Sequence, residues 1–144
     1  MSKGPENTFL ASVHRHLPPK LHVWKNNNMF AGGQADTWIS GPRADMWIEY
    51  KFIEIPKRGE TVIDLINPKP RQDSIISTLQ QDWLKGRHDE GRTVGVIVGS
   101  KDGGVWFPGV EWNCTYTAEA FRDCMISRKD LAYVITDIVG TPES

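Results

Sequence analysis

Cysteine is scarce: Cys114 and Cys124 are the only two in 144 residues. They stand ten apart, match no zinc or redox spacing, and read as reduced residues packing beside a helix. Long hydrophobic runs are missing too, and no stretch approaches the roughly 20 apolar residues of a membrane helix. The opening MSKGPENTF lacks a secretion signal's charged-then-apolar order, so an intracellular protein is expected. With no internal repeat and no low-complexity linker, the chain reads as one domain, 1–144. Net charge is nearly absent: 17 Lys and Arg against 18 Asp and Glu leave −1, which by itself disfavours nonspecific nucleic-acid binding.

The basic residues are unevenly placed, however. Lys3, Arg15, Lys20 and Lys25, with His14, His16 and His22, face a single early acid, Glu6. A second group, Lys57, Arg58, Lys69 and Arg71, brackets a segment near the middle. Nucleic acid therefore stays open as a partner.

Periodicity supplies the elements. Phe9, Leu10, Val13 and Leu17 have helical spacing, and Pro18-Pro19 stops that helix. Residues 21–25, LHVWK, read as a short strand, followed by the turn-rich NNNMFAGG. QADTWIS and ADMWIEYKFIEI read as two strands joined at Gly41-Pro42. GETVIDLINPKPRQD looks irregular. A long helix is expected over SIISTLQQDWLKGRHDEG, capped by Asp73 or Ser74 and closed by Gly91. TVGVIVG is a β-branched run suited to a strand buried on both faces, and Asp102-Gly103 turns it into VWF. Two helices follow, capped by Thr117 and Ser127, as an extension over about 115–140. The order implies an α/β (α+β) mixed sheet with helices on its faces.

Within the second hairpin strand, WIEYKF sets Glu49 and Lys51 on one face with Trp47 and Ile53, and Ile48, Tyr50 and Phe52 on the other. Charges amid such apolar neighbours are costly unless partnered. A turn at Pro42-Arg43 would place Trp38 opposite Trp47 and Asp36 opposite Glu49. Two facing carboxylates repel. Lys51 supplies part of the missing cation, and a hard divalent ion would supply the rest. Asp36 and Glu49 would hold Mg2+, with the main-chain carbonyl of Tyr50, next to a phosphate under hydrolysis, and Lys51 would position or deprotonate the water, or offset charge. Asp45, two pleats or roughly 13 Å from Glu49, is too distant to share that ion. Lys25 and Asn26, just before the site, suit phosphate contacts, as do Lys57 and Arg58. The histidines read as surface residues, most tryptophans as core, and Trp112 as the exposed one.

Asp36 followed by Glu49-Tyr50-Lys51 resembles the signature of the PD-(D/E)XK nuclease superfamily, with Gly32-Gly33-Gln34-Ala35 on the approach and Ala35 in place of the motif's proline. The run from Leu79 to Leu84, then Gly91 and TVGVIVG, is similar to the VRR-NUC branch and to small Holliday-junction resolvases, in the manner of nucleases encoded by bacteriophages. The likeness spans about residues 5–107 and implies a restriction-endonuclease-like αβββαβ core. It further implies a Mg2+-dependent deoxyribonuclease (Mn2+ substituting) that cuts branched DNA, works as a homodimer and uses no membrane. By the same resemblance Gln80, ahead of Gln81, stands at the active site. Glu6 either serves the metal or simply occupies a helix's first turn. A non-cleaving DNA-binding or protein-interaction module on the same fold, and a nuclease for single-stranded ends or flaps, are the alternatives.

Overall fold

A computed structural model describes residues 4–26 and 33–143. Most of the expected NNNMFAGG turn lies outside the described residues. The first helix, α1 (Gly4–His14), leads into strands β1 (His22–Lys25), β2 (Thr37–Ser40) and β3 (Asp45–Phe52). After β4 (Val62–Asp64) come helix α2 (Thr78–Asp89) and strands β5 (Val94–Ser100), β6 (Gly103–Pro108) and β7 (Thr115–Thr117). Helices α3 (Ala118–Cys124) and α4 (Arg128–Val139) close the chain.

The main sheet has the order β1-β2-β3-β5-β6. Only β3 and β5 run parallel, joined through α2, and every other neighbouring pair is antiparallel. A parallel pair needs such a crossover, and the helix it carries must cover a sheet face. All seven residues of β5 are buried, as its unbroken apolar run requires. On one face α1 and α4 bring Phe9, Leu10, Val13, Leu131 and Ile135 onto Ile48, Tyr50 and Ile97. On the other, Leu84 of α2 joins Val94, Val96, Val98, Phe107 and Trp112. The strand β3 feeds both cores, as its period-two pattern dictates.

Several expectations need correction. The long helix starts at Thr78, not near Ser74, because Ser77 and Gln80 form a reciprocal capping box. Ser74 is buried instead, its hydroxyl donating to the Ile76 carbonyl at 2.7 Å. The stretch expected to be irregular contains β4, which pairs with β7 in a second, two-stranded sheet. Trp112 is fully buried, its indole N–H donating to the Gly109 carbonyl at 3.0 Å. Both cysteines are exposed rather than packed. His14 is no surface residue: its Nε2 lies 3.0 Å from the Tyr50 hydroxyl, and burial, then Lys25, pushes it down to about 4. No helix among the described residues is long and apolar enough to cross a membrane.

Candidate active site

The β2–β3 ladder has the register expected from the turn, with Thr37 against Ile48 and Trp38 against Trp47. One further step brings Asp36 level with Glu49. On Asp36's other side, the Asn26 amide donates to its carbonyl at 2.6 Å. Asn26, Asp36 and Glu49 thus stand abreast, just past the end of β1, just before β2 and inside β3.

The Asp36 carboxylate is held at both oxygens. Thr37 Oγ1 donates to Oδ1 at 3.0 Å, and the Tyr50 amide donates to Oδ2 at 3.2 Å. Burial still outweighs these bonds and pushes its carboxyl up to about 6. Glu49 is 1% exposed, and burial together with the Asp36 charge pushes it up to about 8. Its Oε2 receives the Lys51 ammonium at 3.3 Å and the Gln80 amide Nε2 at 3.1 Å. Its Oε1 is buried and has no hydrogen-bond partner among the described residues. A buried carboxylate oxygen left bare is costly, so the atom calls for a cation or a proton.

Glu6 sits in the first turn of α1, and its charge raises both Asp36 and Glu49. Gln81 has a structural task instead, its amide donating to the carbonyls of Ile66 and Ile76 at 2.8 Å each. Among the described residues no group of three or more His, Cys, Asp and Glu side chains is spaced to ligate a metal. Any ion here would lean on Asp36 and Glu49, main-chain oxygen and water, a donor set that suits Mg2+.

Gly33 explains how the Asp36 segment meets α2. With φ at +78°, it lies so close to the helix start that a Cβ would come within 2.1 Å of the Leu79 carbonyl oxygen. Only glycine fits there without strain, and its closeness sets Asp36 beside the turn that carries Gln80.

The remaining predicted contacts are more dispersed. Lys25 is exposed at the end of β1, next to Asn26. Lys57 and Arg58 are exposed further along, where Arg58 pairs with Glu60 at 3.1 Å. Both line a groove of about 790 Å3, with Lys101 and Arg122, outside the carboxyl ends of β3 and β5. In open sheets with parallel strands, ligands favour that end. Residue-by-residue reading missed Thr37, a buried hydroxyl that an ordinary strand threonine does not announce. It also missed Ser77, although the Ser-x-x-Gln spacing of a capping box was visible.

No family model matches the chain, and no curated protein matches it by sequence. Among solved structures it is similar to Hjc, a Holliday junction resolvase from the archaeal hyperthermophile Archaeoglobus fulgidus. The two share 14% identity at a TM-score of 0.51, over 90% of this chain and 96% of that one. At such identity the likeness shows the fold, a restriction-endonuclease-like α/β arrangement around a five-stranded mixed sheet.

Proposed function

We propose that this chain is a divalent-metal-dependent deoxyribonuclease acting on branched DNA, with Asp36, Glu49 and Lys51 as its catalytic set. The observation that carries the reading is the bare Oε1 of Glu49, buried beside Asp36 on a strand that also presents Lys51. The resolvase likeness supports both the nuclease reading and the branched substrate, and makes a homodimer the natural working form. The proposal extends to a single nuclease domain over 1–144, to an intracellular setting, and to kinship with VRR-NUC and bacteriophage nucleases.

Asp36, Glu49 and the main-chain carbonyl of Tyr50 would hold Mg2+ or Mn2+, with Glu6 at the margin. The bound ion supplies a more acidic water and positive charge against the phosphate. Gln80 and Lys51 fix Oε2 of Glu49, so Oε1 is the oxygen that would take a metal ion. Thr37 and the Tyr50 amide hold Asp36 in a single orientation. Lys51 would orient or deprotonate the attacking water, or offset charge, as the water oxygen bonds to phosphorus and gives up its proton to Lys51 or solvent, while the P–O bond to the leaving group breaks and the departing oxygen takes a proton from solvent. Lys25, Asn26, Lys57 and Arg58 would grip flanking phosphates.

Cleavage of labelled four-way junction, flap, single-stranded and linear duplex DNA with Mg2+ or Mn2+ tests this. The wild type should cut, preferring the junction or flap. Folded Glu49→Ala and Lys51→Ala variants should fall by about 100-fold or more. Binding without cleavage by either metal would mark the chain as a DNA-binding module instead.

A further inference from the structure

Three adjacent strands carry tryptophans side by side. Trp24 of β1 is paired with Trp38 of β2, and Trp38 with Trp47 of β3. Directly paired residues share a sheet face, so the indoles form one row. The next row on that face is Asn26, Asp36 and Glu49, one pleat or about 7 Å away.

Trp47 is the hub, its ring centroid 6.1 Å from Trp24, 6.2 Å from Trp38 and 5.4 Å from Trp83 of α2. The row opens towards the sheet edge, where Trp24 is 47% exposed and Trp38 only half-buried. Beside it, Trp38, Trp47, Arg87 and Arg92 line a cavity of about 290 Å3. The Arg87 guanidinium lies 5.7 Å from the Trp83 ring centre, and its Nε is buried with no hydrogen-bond partner among the described residues. Glu90 takes the Nη1 of Arg87 at 2.7 Å, and the one carboxylate in the cavity, Asp45, already accepts from Ser40 at 2.5 Å.

Open aromatic faces rimmed by guanidinium groups suit unpaired nucleotides, whose bases stack while their phosphates meet the cations. Bases inside a duplex are already stacked and cannot offer those faces. We infer that the Trp24, Trp38 and Trp47 row, with Arg87 and Arg92, is a platform for one or two unpaired nucleotides flanking the phosphodiester held at Asp36 and Glu49. This inference rests on the nuclease reading of that site. It narrows the substrate to DNA with unstacked nucleotides next to the cut.

Binding of fluorescently labelled DNA, followed by anisotropy in EDTA so that nothing is cut, tests the platform. The same duplex is compared with and without a short unpaired flap, for wild type, Trp24→Ala, Trp24→Phe and Arg92→Ala, with melting curves to confirm folding. Trp24→Ala should weaken flap binding about tenfold more than duplex binding, Trp24→Phe should retain most of it, and Arg92→Ala should act in the same direction. Equal losses on both DNAs, or none, overturn the platform. So does a Trp24→Ala variant that turns a dimer into a monomer in sedimentation while each protomer binds flap DNA unchanged; the row would then join two copies of the chain. Cleavage with Mg2+, measured separately, divides the two readings. A wild type that cuts but is indifferent to Trp24 sinks the platform and leaves the nuclease. Flap-selective, Trp24-dependent binding without cutting does the reverse, and a wild type that binds neither DNA ends both.

Discussion

Gln80 and Glu49 meet across 31 positions of sequence, the amide Nε2 donating to the carboxylate Oε2 at 3.1 Å. The same side chain caps its own helix, its Oε1 accepting from the Ser77 amide at 3.0 Å. One planar amide therefore ties the start of α2 to the acid on β3, so the orientation of Glu49 and the position of the helix are fixed together.

Gln80→Ala should remove both bonds. We expect a stability loss of about 1 kcal/mol from the cap and a cleavage loss of about tenfold from the freed carboxylate. Thermal melts and initial rates measured on one preparation separate the effects. An unchanged rate with a lowered melting point would reduce Gln80 to a cap.

The pH dependence follows from Glu49. Burial and then Asp36 hold its carboxyl near 8 in the fold, against an ordinary value of 4.5. A raised acid favours the fold while protonated, so its contribution is complete below pH 4.5 and disappears as the pH climbs through 8. Asp36, near 6, acts in the same direction at lower pH. His14, pushed down to about 4 from 6.5, acts with the opposite sign, but only below 6.5. Between about pH 6.5 and 8, metal-free protein should lose about 2 kcal/mol of stability. Glu49→Gln should remove that slope and saturating Mg2+ should flatten it, both measured by urea denaturation. Stability that rises across this window in EDTA is incompatible with the buried, protonated Glu49.

Two glycines should respond oppositely to alanine. At Gly33 the new methyl group meets the Leu79 carbonyl and the backbone is held at φ +78°, so Gly33→Ala should cost about 2 kcal/mol or more. Gly86, within α2, has open space around a built Cβ, so Gly86→Ala should add about 0.5–1 kcal/mol. Denaturation midpoints decide both. Matching effects at the two positions would mean that Gly33 does not press on α2.

Trp112 and Trp24 form a similar contrast. Removing the fully buried Trp112 should cost about 3–5 kcal/mol, whereas half-exposed Trp24 should cost about 1 kcal/mol or less. Equal costs in urea titrations would contradict the burial of the first or the exposure of the second.

The central sheet was legible wherever side-chain chemistry repeated. The Trp38–Trp47 pair and the Gly41-Pro42 turn set the hairpin register, and the unbroken TVGVIVG run announced a strand covered on both faces. Three-residue strands leave too little pattern to stand out, and β4 and β7 are defined by a pairing distant in sequence. Trp112 reads as exposed from sequence because its segment has no periodicity, and nothing local shows that the chain folds back beneath β5 and β6. Asp36 and Glu49 could be placed abreast from the turn alone. The burial of Glu49, and the bare Oε1 that follows from it, depends on α2 and β5 arriving from elsewhere in the chain.

That arrival has a kinetic side. The β2–β3 hairpin joins neighbours in sequence, whereas pairing of β3 with β5 must wait for α2 to cross the sheet. We expect Asp36 and Glu49 to meet early in a hydrated hairpin, where water screens their repulsion, and Glu49 to lose its water only when β5 docks. Refolding should therefore slow as the pH rises from about 5 to 8 and recover its speed in Mg2+, as stopped-flow fluorescence would show. A rate flat across that range would put the drying of Glu49 after the folding barrier, leaving the acids still wet at the summit.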